Sequence, residues 1–278
     1  MEECLEFSLE DHLYEIFTLA VTLLIAVGGL SLSMRNAILG EASIRVNSFL
    51  ELALGVTALY LSLPVHELVH KLTLNFWGLR ASFRVIRFKG IVPYIEVISR
   101  GGFLDRRKIL IFTVLSVAVS LFFGLASSVL PDMDFPLLLL SLGCAAFSSW
   151  DVLIAFIVLC LPADSVSYSY LGSKVVVSGN CKGLSERFLE GWEAVRHWSG
   201  WTWFFFTVFF VMFVMVLLGA ISFSQGFTLG FPGYVIFSVY RVGNTFKYFF
   251  NVTGAFMFSA VLAVPFSYLG RKLLDYLG

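Results

Sequence analysis

The chain has 278 residues, of which 58% are hydrophobic and 14% charged; a soluble domain is about 45–50% apolar and about 25% charged, and one of this size could not hide so much apolar surface. Its 19 basic and 19 acidic residues balance, so neither disorder nor a global field for nucleic acid is indicated. Cys4, Cys144, Cys160 and Cys181 form no CxxC pair, which argues against a disulfide framework or a cysteine zinc site.

The expected fold is an all-α polytopic membrane protein with about six spans. A helix that crosses a bilayer needs roughly 17–25 residues, and windows 13–32, 49–65, 109–130, 137–161, 202–222 and 248–270 qualify. The acidic leader MEECLEFSLEDH lacks the basic start of a signal peptide, so the first window reads as a span. The second is expected to stay helical to about Trp77. Counted by alternate loops, 15 Lys and Arg fall on one side and 4 on the other. The positive-inside rule then puts both termini and loops 78–108 and 162–201 in the cytoplasm, and 131–136 outside.

Residues 83–100 are rich in β-branched and aromatic types, with Gly90 and Pro93 as punctuation, and predict a strand pair. Residues 165–178 predict two short strands around Leu171, Gly172 and Ser173. Segment 184–198 sets Leu184, Phe188, Trp192 and Val195 at helical spacing, which suits an amphipathic helix lying on the membrane surface. Residues 223–247 read as a loop, and Asn251-Val252-Thr253 as a glycosylation acceptor placed inside the sixth span, where it could not be used. The chain reads as a single integral-membrane domain over 1–278. Its core covers 50–180, and 181–278 holds the amphipathic helix and two additional spans.

The sharpest chemical feature is His66-Glu67-Leu68-Val69-His70, an HExxH. Residues four apart on a helix share a face, so two imidazoles can bind one tetrahedral zinc while Glu67 reaches the open coordination position as catalytic base. The bland alternative is two interfacial histidines and a Glu67–Lys71 pair. A catalytic zinc needs a third protein ligand. Asp151 is the carboxylate within span 137–161, and a charge at that depth usually faces a partner. It lies on a stripe of small residues with Cys144, Ser148 and Ala155. The second span has a matching stripe in Gly55, Ala58, Ser62, His66 and His70, and such stripes let membrane helices approach closely. A structural hydrogen bond is the alternative role for Asp151. His197, Glu190 and Glu193 are rival ligands. Pro64 removes a helical hydrogen bond just before the motif.

PVHELVHKL in a membrane helix, then a basic strand-rich loop, SSWDVLIAF in a later span, and LPADSV with a short hairpin resemble the uncharacterised membrane family of zincin peptidases over roughly residues 50–180. The chain is more distantly similar to site-2 proteases. There the aspartate stands in an Asn-Pro-Asp-Gly or Leu-Asp-Gly setting, whereas here it is Ser-Trp-Asp-Val. The resemblance implies His66, His70 and Asp151 as zinc ligands and Glu67 as general base. The function expected is an integral-membrane zinc metalloprotease acting on membrane protein or peptide substrates near the cytoplasmic face of the lipid bilayer. The alternatives are an ion or proton transporter and a non-catalytic membrane scaffold.

Overall fold

The computed structural model describes residues 3–40, 48–88, 92–100, 104–161, 166–179, 184–223, 227–231, 234–242 and 245–277. The chain divides into two compact units, Met1–Trp192 and Glu193–Gly278. The first holds β1 (Glu3–Ser8), a 3-10 turn, α1 (Leu13–Leu39), α2 (Phe49–Phe76), β2 (Arg80–Phe88), β3 (Val92–Arg100), α3 (Arg106–Val129), α4 (Asp134–Cys160), β4 (Val166–Tyr170), β5 (Lys174–Gly179) and the start of α5 (Leu184–Phe223). The second holds the rest of α5, then β6 (Phe227–Phe231), β7 (Tyr234–Val242), β8 (Thr245–Phe250) and α6 (Val252–Leu277). Among the described residues six helices are long and apolar enough to cross a membrane, so this is a multi-pass, mostly helical protein with short strand hairpins in its loops.

Local chemistry sets the helix ends. Ser48 and Asp105 accept the Glu51 and Lys108 amides at 3.1 and 2.7 Å and cap α2 and α3. Gly40 adopts φ 73° after α1, a left-handed conformation that favours glycine. α4 is the hub. Its most apolar stretch is 61% buried, against 17–33% for the others. It packs on α1, α2 and α3. The small-residue stripes do meet, with Ser62, Cys144, Ser148 and Asp151 all fully buried. The Cys144 thiol donates to the Ser62 carbonyl at 3.5 Å.

The tightest approach is at Gly143, which lies outside the stripe read from the sequence. A Cβ there would run into the Ser62 side chain. Gly143→Val is therefore expected to destabilise the protein by about 1–3 kcal/mol, read as a lower melting temperature in detergent. The control is Gly29→Val, where a Cβ meets nothing within 4 Å, and it should leave the melting temperature nearly unchanged. Away from the HExxH, α1, α3 and α4 are joined by polar contacts: Arg35 pairs with Asp134 at 2.7 Å, and the Ser128 and Ser141 hydroxyls donate to the Ser31 and Ser120 carbonyls.

Both expected hairpins form. β2 and β3 are antiparallel, in register from Arg80↔Arg100 to Phe88↔Val92; Gly90 lies outside the described residues. β4 and β5 turn through Gly172 at φ 70°. The leader contributes more than charge. β1 pairs with β5, giving the order β1-β5-β4. On the far edge of β4, Leu104 and Tyr168 exchange backbone hydrogen bonds of 2.7 and 2.9 Å. Tyr168 is fully buried, and burial pushes its phenol up to about 12, so the ring stays neutral.

From Leu184 onward the chain departs from the sequence reading in two respects. The separate surface helix over 184–198 is not found. That segment and the fifth span form one 40-residue helix, α5. At 1.5 Å per residue it is about 60 Å long, roughly twice the hydrocarbon thickness. Nothing stronger than the isolated glycines Gly191, Gly200 and Gly219 interrupts it, and each costs a helix only about 1 kcal/mol. The described part of its expected apolar face, Trp192 and Val195, is half-buried and buried respectively; the side chains of Leu184 and Phe188 lie outside the described residues. Second, residues read as a loop and as the start of the sixth span build a three-stranded antiparallel sheet, β6-β7-β8. Phe213 on α5 stacks on Phe250 at 4.9 Å, in a core with Phe237 and Val239. α6 starts only at Val252, and Asn251 caps it by accepting the Gly254 amide at 2.8 Å. Asn251 is thus a helix cap rather than a residue inside a span.

Candidate metal centre

α2 carries His66 and His70 one turn apart, and α4 brings Asp151 to them. His66 Nε2 lies 3.0 Å from His70 Nε2, and Asp151 Oδ2 lies 3.3 and 3.1 Å from the two nitrogens. The side chains are 4, 0 and 0% exposed. Among the described residues these three form the one group of His, Cys, Asp or Glu able to share an ion.

The triangle has the right dimensions for a cation. A tetrahedral ion with bonds of about 2.0–2.1 Å sets neighbouring ligand atoms about 3.3 Å apart. A shared cation would satisfy all three ligand atoms at once. Three lone-pair atoms in contact repel one another, and one shared proton can serve at most one or two of the three edges. Asp151 Oδ1 and both Nδ1 atoms have no hydrogen-bond partner among the described residues, so the polar contacts described for the three side chains are those within the triangle itself. Two imidazoles and one carboxylate fit zinc and neighbouring transition metals.

Aromatic rings flank the triangle. The His70 ring stacks on Phe112 at 4.1 Å, with Tyr170 edge-on to Phe112 at 4.6 Å. Phe147 flanks the His66 ring at 6.2 Å. Phe147 also lines a cavity of about 480 Å³ between α1 and α4, walled by Leu13, Ile16, Phe17 and Trp150.

Glu67 does not join the triangle. It is 1% exposed and accepts the Val97 amide of β3 at 2.7 Å. The β2–β3 hairpin therefore lies against the HExxH turn. Asn75 holds its base by accepting the Ala81 amide at 3.1 Å, one helix turn past His70. In the alternative reading Lys71 would pair with Glu67; here its ammonium sits 4.4 Å from the centre of the Phe83 ring. Of the rival ligands, Glu190 and Glu193 are exposed and His197 is half-buried; the described ligand group includes none of them.

The sequence reading missed Glu96, Val97 and Trp150. A signal was available for Glu96, a single acid in the apolar strand VPYIEVISR. Val97 acts through its backbone, which no side-chain motif can reveal. No protein family, curated protein or solved structure matches this chain.

Proposed function

We propose that the protein is an integral-membrane zinc metalloprotease that hydrolyses peptide bonds of membrane-associated substrates near the cytoplasmic face. The observation that carries this reading is the meeting of two Nε2 atoms and one carboxylate oxygen within 3.3 Å of one another, with Glu67 adjacent but outside the triangle. His66, His70 and Asp151 would hold the zinc. When bound, zinc supplies Lewis acidity and lowers the pKa of a water toward about 7. Glu67 takes a proton from the attacking water and returns it to the leaving amine. The apolar rings of Phe112, Phe147 and Tyr170 limit water around that transfer. The exposed edge of the β2–β3 hairpin suits an extended substrate segment, which would add as a strand. The apolar cavity beside Phe147 suits a substrate side chain.

A transporter would need polar groups lining a path. The buried serines of α1, α3 and α4 instead spend their hydroxyls on helix carbonyls, as at Ser31, Ser116, Ser120, Ser127 and Ser141, which favours the enzyme. Scaffolding has no use for Glu67.

Metal analysis of the purified full chain tests the reading. About one zinc per chain is expected, together with cleavage of a membrane peptide that a chelator abolishes. A chain that holds no transition metal overturns it. The proposed topology has both termini inside. Single cysteines introduced at positions 133 and 174 should then label differently from outside, with only 133 reacting with an impermeant reagent. Reaction at 174 alone would reverse the orientation.

A further inference from the structure

We propose that Glu96 is a positioning residue that aims the Val97 amide at the Glu67 carboxylate; the proposal rests on the metalloprotease reading of the site. Glu96 and Val97 are consecutive on β3, and both are almost wholly buried. The Val97 amide points to Glu67, at 2.7 Å. The Glu96 carboxylate binds the other hairpin, where its Oε2 accepts the Ser173 amide at 2.8 Å. Among the described residues its Oε1 faces one distant cation, Arg84 Nε at 4.0 Å, on a side chain 61% exposed.

A buried carboxylate is costly unless its oxygens are used. Here the β4–β5 turn is shaped around it. Gly172 is left-handed, and a Cβ there would lie 2.6 Å from Glu96 Cδ. The Gly172 carbonyl in turn accepts the Trp150 indole N–H at 3.3 Å, and Trp150 is the neighbour of Asp151 on α4. Ser99 adds a second tie, its hydroxyl donating to the Tyr170 carbonyl at 2.9 Å. The contacts run from Glu67 through Val97, Glu96, Ser173, Gly172 and Trp150 to Asp151. They connect the base on one helix to the carboxylate of the metal triangle on the other, through two hairpins.

In its sheet β3 pairs with β2 alone, and the Asn75–Ala81 bond ties only the start of β2 to α2, which leaves the middle of β3 room to tilt over α2. Glu96 removes this freedom by fixing β3 to a turn that is itself held from α4. A base displaced by a fraction of an ångström loses much of its effect, since misplacement by about 1 Å can cost about 10²-fold in rate.

The test uses the full zinc-loaded chain in detergent and compares Glu96→Ala, Glu96→Gln and Gly172→Ala with the wild type. Hydrogen exchange over residues 92–100, zinc content, and kcat and KM on a membrane peptide are read together. Glu96→Ala should keep its zinc and its KM. Its kcat should fall roughly 10–100-fold, and the Val97 amide should exchange faster. Glu96→Gln keeps an oxygen for the Ser173 amide and should restore most of kcat and of the protection. Gly172→Ala, which crowds Glu96 without touching Glu67, should resemble Glu96→Ala. Unchanged Val97 exchange in Glu96→Ala overturns the proposal, as does an equal loss in Glu96→Gln. If the wild type binds no zinc and cuts nothing, the metalloprotease reading falls, and the exchange measurement still decides whether Glu96 positions Val97.

Discussion

Glu67→Gln should retain one zinc and the fold while losing proteolysis by roughly 10²–10⁴-fold. The carboxylate is outside the ligand triangle, so its charge is not needed to hold the metal. Gln keeps the side-chain shape and an oxygen that can still accept the Val97 amide, so the hairpin stays seated. It cannot take a proton from water at neutral pH, and the chemical step loses its base. His66→Ala removes one of three ligands, and two seldom hold zinc, so metal and activity should be lost together. The contrast between the variants separates catalysis from binding. Wild-type rates in Glu67→Gln would remove the general-base role and strengthen the transporter reading. Equal loss of zinc in both variants would place Glu67 among the groups that support the metal, and the roles would need to be assigned again.

The helical architecture was legible because a bilayer writes itself into composition: each of the six long helices coincides with a long apolar window. Spacing also made the site's three side chains legible. His66 and His70 share a face by helical period, and the small residues around Asp151 mark a surface where α2 can come close. The less legible features have physical reasons. β1 lies in a leader whose acidic residues drew attention to charge, while its pairing with β5 depends on a strand more than 160 residues away. The sheet β6-β7-β8 has aromatic, β-branched strands of five to nine residues, too short to stand out beside apolar spans. A 40-residue α5 was split because composition changes near Trp201 from amphipathic to wholly apolar, while no proline breaks the helix there. Val97 could not be read at all, since what it contributes is a backbone amide.

Asp151→Asn should abolish stoichiometric zinc while leaving a folded chain. The substitution is nearly isosteric in a site where Asp151 is fully buried between two imidazoles, so packing with Ser148 and Cys144 is kept. Asn replaces an anionic ligand with a neutral amide oxygen, which zinc sites rarely use. In the metal-free protein its NH₂ can donate to either Nε2, which offsets the lost attraction between carboxylate and imidazole. The metal-free forms should therefore melt at similar temperatures. Added zinc should separate them. A ligand at 1,000 times its Kd stabilises the state it binds by about 4.1 kcal/mol, enough to raise the wild-type melting temperature by several degrees. The same titration should leave Asp151→Asn almost unmoved. A zinc-dependent shift that survives in Asp151→Asn would mean that the histidines bind the ion with some other third ligand. Asp151 would then be a structural carboxylate, with the catalytic geometry to be sought around a different partner for His66 and His70.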